Sequence, residues 1–176
     1  MIKLEYFTED DFDLLISWIT SPELTMQWSG PAFTYPLTRG QLSTYIKSAN
    51  QDGADTYAFK AVDTNSGQIV GHISIGRIDY GHMTGRIGKV MVTEQARGKK
   101  VAGRMLEQIL EFAFLNLGLN RVSLGVFDFN TPAIKAYEKA GFTNEGLIRE
   151  VRKVKDEFWS YYEMSILKRE WDGKIN

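Results

Sequence analysis

Val90-Met91-Val92-Thr93-Glu94-Gln95-Ala96-Arg97-Gly98-Lys99-Lys100-Val101-Ala102-Gly103-Arg104-Met105-Leu106 changes character twice. An apolar, strand-like run breaks into a basic turn with glycine, and the turn leads directly into an amphipathic helix. That order has a chemical consequence. A turn feeding a helix N-terminus aims unpaired backbone N–H groups, and the positive end of the helix dipole, at one point. Such a point suits a phosphate or pyrophosphate, and Arg97, Lys99 and Lys100 add full charges within reach of the same oxygens. The bland alternative is a solvated surface turn, because glycine and lysine are common in turns. Two better-known phosphate loops are excluded. Gly88-Lys89 is followed by Val90 where a Walker loop needs Ser or Thr, with Met83 at its opening glycine, and no G-x-G-x-x-G follows a strand.

Downstream of the turn, Ala102, Met105, Leu106, Ile109, Leu110, Ala113 and Leu117 recur at helical spacing and predict a buried stripe on a helix from about 99 to 117, stopped by Gly118. Upstream, residues 56–63, 68–79 and 84–92 read as strands separated at hairpin distance by Asn65-Ser66-Gly67 and Tyr80-Gly81-His82. Residues 2–6 predict a short strand. Thr8 and the acidic Glu9, Asp10 and Asp11 open a helix to about Thr20, where Ser21-Pro22 stops it. Residues 23–37 read as a loop or broken helix carrying Trp28, Phe33 and Tyr35, before a helix over 38–49. Beyond 118, residues 121–127 form a strand, Thr131-Pro132 opens a short helix closed by Gly141, and 142–154 and 158–167 form an antiparallel pair. The order β-α-α-β-β-β-α-β-α-β-β implies an α/β or α+β fold on a mixed sheet, antiparallel in the middle.

A chain of 176 residues with 43% hydrophobic and 24% charged residues reads as one soluble domain, residues 1–176. No apolar run approaches the ~20 residues a bilayer needs, and no signal peptide opens the chain; cytoplasmic location and no membrane partner are expected. The absence of cysteine excludes disulfides, thiolate metal sites and a cysteine nucleophile. A net charge of −1 argues against nucleic acid as a partner. His72 and His82 are the two histidines, too few for a zinc site, so no metal is expected; one is expected in the core and the other in a turn.

Two segments combine to carry a resemblance: Gln95-Ala96-Arg97-Gly98-Lys99-Lys100-Val101-Ala102, and Asn130-Thr131-Pro132-Ala133-Ile134-Lys135-Ala136-Tyr137-Glu138-Lys139-Ala140-Gly141-Phe142 after the strand at 122–127. In that order and on those elements they resemble the GNAT family of acetyl-CoA-dependent N-acetyltransferases. Leu4, Asp10-Asp11, Trp18 and Pro22-Glu23, with Glu145-Gly146, Met164, Leu167 and Glu170-Trp171, resemble the branch of the ribosomal-protein and spermidine acetyltransferases. The resemblance implies a mainly antiparallel seven-stranded sheet flanked by about four helices, with the last two strands splayed to admit the cofactor arm. It implies acetyl-CoA as donor, its diphosphate on the N–H groups of Arg97, Gly98, Lys99, Lys100, Val101, Ala102 and Gly103. The pantetheine arm would pair with Met91 and Val92 and bond to Asn130. Lys100 departs from the family signature, which has glycine or alanine there.

The resemblance also makes Tyr137 the general acid that protonates the departing thiolate. Asn130 and Tyr137 lie seven residues apart, on one helix face. Read from the residues alone, Tyr137 packs with Ala133, Ala136 and Ala140 while Asn130 caps the helix. A backbone N–H near Val92 would meet the developing oxyanion. The strand at 84–92 has Ile87 near the family's glutamate position, and Ser160 replaces an aspartate of the last strand. Glu94, Asp128 and Glu163 remain base candidates by proximity only. Trp28, Phe33 and Tyr35 either line the acceptor pocket, offering aromatic faces to an amine, or pack as core. The acceptor implied is a small-molecule amine or a protein N-terminus, and the sequence does not separate a monomer from a homodimer. A non-catalytic acyl-CoA sensor is the alternative reading.

Overall fold

The computed structural model describes residues 1–175, with side chains described to Asp172. Seven strands form one sheet: β1 (Ile2–Tyr6), β2 (Tyr57–Asp63), β3 (Gln68–Asp79), β4 (Thr84–Val92), β5 (Arg121–Phe127), β6 (Thr143–Val154) and β7 (Glu157–Leu167), in the order β1-β2-β3-β4-β5-β7-β6. Every neighbouring pair is antiparallel except β4 and β5. The mixed, mainly antiparallel seven-stranded sheet expected from the sequence is therefore present.

Six α-helices surround it among the described residues: α1 (Phe12–Trp18), α2 (Pro22–Ser29), α3 (Arg39–Ile46), α4 (Val101–Glu111), α5 (Thr131–Ala140) and α6 (Lys168–Ile175). Two exceed the expected count, for different reasons. Ser21-Pro22 ends α1 but also starts α2: the Ser21 hydroxyl accepts the Leu24 N–H at 3.1 Å, with proline at the first position. A stop signal and a start signal are the same two residues here. At the C-terminus, α6 follows β7 without a break and seats the buried Trp171 against Phe114, ring centres 5.4 Å apart.

Alternation along the strands splits the interior into two cores. Ile73, Ile75, Ile87, Val122, Leu124, Met164 and Ile166 face α4, whose Met105, Leu106 and Ile109 are fully buried. On the opposite face, Ala58 and Met91 join Phe12, Leu15, Trp28, Phe33 and Leu42 from the α1–α3 segment. The 3-10 turn Glu9–Asp11 ties this segment to the sheet: buried Asp11 accepts the Thr8 N–H at 2.8 Å and the Lys60 ammonium at 2.9 Å.

The helix α4 starts at Val101 rather than near Lys99, and after Glu111 it widens into a π turn, Phe112–Asn116. The expected splay of the last two strands is corrected by the register. Strand β7 pairs with β5 through all seven β5 residues and with β6 along most of its length. It is β4 and β5 that part: they pair at Thr84↔Arg121, Gly85↔Val122 and Arg86↔Ser123, and no further. Parallel strands diverge here because β3 bends β4 away. Pairing between β3 and β4 shifts between His72 and Ser74, and Lys89 takes φ 52 in the resulting bulge.

Candidate active site

The opening between β4 and β5 leads onto the N-terminus of α4. Gly98 (φ 75) and Lys100 (φ 62) both adopt left-handed backbone, which turns the chain sharply after Arg97 and presents the first turn of α4 outward. No side chain caps this helix and its first turn holds no acidic residue, so its leading N–H groups have no intrahelical acceptor. Arg97, Gly98, Lys99 and Lys100 are exposed, Val101 is buried, and Ala102 and Gly103 are half-buried. A side chain added at Gly98 or Gly103 would meet no atom within 4 Å. The residues thus form an exposed, basic turn that ends in free backbone donors, which fits a diphosphate. The left-handed conformation gives the physical reason for glycine in the signature at position 100: Lys100 holds it against a steric cost of about 1–2 kcal/mol.

Strand β4 offers a second recognition surface. The Thr93 N–H donates to the Val70 carbonyl at 2.9 Å, which makes Gly71 and Val92 a non-hydrogen-bonded pair. Val92 therefore turns its own N–H and C=O away from β3, into the opening. Met91 turns its backbone toward His72 on β3 and buries its side chain in the second core. Of the two residues expected to pair with a cofactor arm, Val92 has the free edge.

Across the opening, Asn130 caps α5 by accepting the Ala133 N–H at 3.3 Å. Tyr137, 7% exposed, belongs to the first core with Val126, and Val92 and Ala133 pack against that same core. Its ring meets Phe142 at 6.0 Å. No described group hydrogen-bonds its hydroxyl, and burial pushes the phenol up to about 12. Packing and a retained proton coexist, so the two readings of this tyrosine are compatible.

The carboxylates named as base candidates separate clearly. Glu94 stands in the exposed 3-10 turn Glu94–Ala96, 3.9 Å from Arg97, and Asp128 is exposed at the end of β5. Glu163 is committed to Arg86, whose guanidinium reaches it at 2.5 and 2.9 Å and touches the Ser123 hydroxyl at 3.3 Å. Gly125 makes room for this clasp, because a Cβ there would lie 2.8 Å from the Arg86 Nη2. The Arg86–Glu163 pair marks the apex where β4 and β5 part. Sequence reading missed it because partners 77 residues apart leave no local signal.

The three aromatic residues of the second segment do not stay together. Trp28 and Phe33 stack at 5.3 Å in the second core, while Tyr35 is 44% exposed. The Phe33 face is already occupied: the Lys89 ammonium lies 5.8 Å from its centre and 4.9 Å from that of Tyr45. His72 is buried with its Nδ1 2.8 Å from the Lys89 carbonyl, and burial lowers its pKa to about 4, while His82 is exposed in a turn beside Asp79. The core-and-turn expectation for the histidines holds. At the far rim, Lys155 in the β6–β7 hairpin contacts Glu23 of α2 and holds that carboxyl below the usual carboxylate range. These residues, with Val154, Asp156, Glu157 and Trp159, line a cavity of about 360 Å³. Among the described residues, no cluster of three metal-ligating side chains occurs, and no helix is long and apolar enough to cross a membrane.

The family model of the acetyltransferase (GNAT) domain matches residues 2–143. The chain belongs to the GNAT acetyltransferase family. N-acetyltransferase p20 of Bacillus licheniformis is 27% identical over 164 residues, 93% of this chain and 91% of that protein. The spermidine N(1)-acetyltransferase of Vibrio cholerae is 24% identical over 103 residues, 58% of this chain and 59% of that protein. The crystal structure of a spermidine N-acetyltransferase from Vibrio cholerae, in complex with CoA and spermine, superposes with a TM-score of 0.83 at 20% identity, covering 97% of each chain. The protein is an acetyltransferase, and its acetyl donor is acetyl-CoA.

Proposed function

We propose that residues 1–176 act as one N-acetyltransferase domain that moves an acetyl group to a primary amine by direct transfer in a ternary complex. The observation that carries this reading is the opening between β4 and β5, which runs from the free edge of Val92 to the uncapped N-terminus of α4. Acetyl-CoA supplies an activated acetyl thioester there. The backbone N–H groups from Arg97 to Gly103, with the Arg97, Lys99 and Lys100 charges, hold its diphosphate, and Val92 and Asn130 orient its arm.

The N–H of Val92, turned away from β3, would stabilise charge developing on the thioester oxygen. Tyr137 holds its proton on Oη at neutral pH, as a phenol does, burial raising its pKa further, and would give it to the departing thiolate. The attacking amine must lose a proton first, so the rate should rise with pH across the acceptor's own titration. The lack of cysteine supports direct transfer, since the chain offers no thiol to carry the acetyl group. A cytoplasmic monomer or homodimer, binding neither nucleic acid nor membrane, accompanies this reading.

Release of CoA, followed with a thiol-trapping reagent, tests it without protein background. An amine that raises release above the acetyl-CoA-only rate supports the proposal. Acetyl-CoA that binds yet never yields CoA faster than buffer, whatever the amine, would establish the sensor reading instead.

A further inference from the structure

Strand β3 carries two polar residues on a buried face. His72 and Ser74 stand two apart, so they share one side of the sheet, the side on which His72 meets Phe7 and Trp28. They are 1% and 2% exposed, while Ile73 and Ile75 turn to the α4 core. A buried polar side chain costs free energy unless it finds a partner, and both find one on β4. The Ser74 hydroxyl donates to the Gly88 carbonyl at 3.1 Å, and His72 donates its Nδ1–H to the Lys89 carbonyl at 2.8 Å.

Those two carbonyls lie at the bulge. Between the pairs Ser74↔Gly88 and His72↔Met91, β4 sets Lys89 and Val90 against the single Ile73. The extra residue of a bulge has no place in the ladder, and Lys89 holds a left-handed φ of 52, which is uncommon for a residue with a side chain. Such a conformation persists where the surroundings impose it. Here the Gly88 and Lys89 carbonyls belong to the peptide groups on either side of the Lys89 Cα. Fixing both planes fixes the φ and ψ of that residue.

The imidazole is itself held in place. Phe7 meets it edge-on at 4.9 Å and Trp28 at 5.8 Å. Its Nε2 has no partner among the described residues, so the bond to the Lys89 carbonyl is the ring's polar anchor. Three residues beyond Lys89 stands Val92 with its free edge, and the direction that β4 takes at the bulge decides where that edge points.

We infer that His72 and Ser74 are positioning residues for the cofactor arm: acting through the β4 backbone, they fix the bulge at Lys89 and thereby aim the edge of Val92 into the opening between β4 and β5. This rests on the reading that the arm pairs with Val92. The diphosphate seat on the turn at 97–100 and the start of α4 lies outside their reach, because it is shaped by its own backbone.

That separation supplies the test, a calorimetric comparison of acetyl-CoA, which has the arm, with ADP, which lacks it. Wild-type protein should bind acetyl-CoA more tightly than ADP. Ser74→Ala and His72→Leu should weaken acetyl-CoA by about threefold and about tenfold, the range of a single buried hydrogen bond, with ADP affinity unchanged. His72→Asn, whose amide N–H can stand in for Nδ1–H, should recover most of the loss. Equal losses for both ligands would reduce the two bonds to support of the fold and overturn the inference, as would unchanged acetyl-CoA affinity. A His72→Asn protein as weak as His72→Leu would assign the effect to ring packing and overturn the role of His72. Wild-type protein that binds acetyl-CoA no more tightly than ADP would overturn the Val92 reading itself. Should His72→Leu fail to fold, Ser74→Ala decides, since it removes one oxygen.

Discussion

The two sides of the sheet are built by different means. On the α4 side, site and core are one continuous piece of chain. Strand β4, the turn at 93–100 and helix α4 follow one another, and the same helix that buries Met105, Leu106 and Ile109 presents its uncapped end to the opening. On the α1–α3 side, buried polar groups are brought in from four distant segments: Trp28 from α2, Tyr45 from α3, His72 from β3 and Lys89 from β4. A local site tolerates variation so long as backbone shape survives. An assembled one is polar, sealed and dependent on packing.

The sharpest way to break this comparison is at Tyr137. Replacing it with Phe should lower turnover by ~10²-fold or more, the usual contribution of a positioned acid, with acetyl-CoA affinity and thermal stability little changed. An unchanged rate in CoA-release kinetics would remove the α4 side from proton transfer altogether.

Acid should reveal the other side. His72 is neutral in the fold because burial lowers its pKa from 6.5 to about 4. Between those values the unfolded chain binds a proton that the folded chain refuses, so stability falls as pH falls through that window, by an amount on the order of a few kcal/mol. Urea midpoints at pH 7 and pH 4.5 should differ accordingly, and His72→Gln should flatten the difference. A midpoint that holds down to pH 4.5 would mean that the second core admits the charged ring.

Gly103 separates fold from binding on the α4 side. Its Cβ position is open, so Gly103→Ala should stabilise α4 by about 0.5–1 kcal/mol. The same methyl intrudes where the phosphates approach, and calorimetry should show acetyl-CoA affinity down by around tenfold. Higher melting temperature with unchanged affinity would move the diphosphate elsewhere. The smallest effect is expected at Lys100→Gly: relief of left-handed strain worth about 1 kcal/mol in stability, with a change in affinity below tenfold because the lost charge is exposed. A large loss of affinity would show that the lysine ammonium, and not its N–H, holds the ligand.

Most of the α4 side was legible from residues alone. The stripe from Ala102 to Leu117, the glycine turn and the two hairpins lie within single turns or hairpins, where spacing and backbone preference act over a few residues. Three features lay beyond local reading, where one signal served two purposes or a distant partner intervened. Ser21-Pro22 both ends a helix and caps the next. The parting strands are β4 and β5, because a bulge at Lys89, between the His72 and Ser74 pairings, redirects β4. Glu163, equal on paper to Glu94 and Asp128, is neutralised by Arg86 from another strand.

By itself, then, the sequence determined the order of the seven strands along the chain, the mixed sheet and the basic turn that leads into α4, since each follows from local periodicity and turn chemistry. Tertiary structure alone decided where the sheet opens, which carboxylates are spent on arginine and which polar groups are sealed without partners. Those outcomes depend on desolvation and on contacts between residues up to 77 positions apart, and a linear pattern carries no record of either.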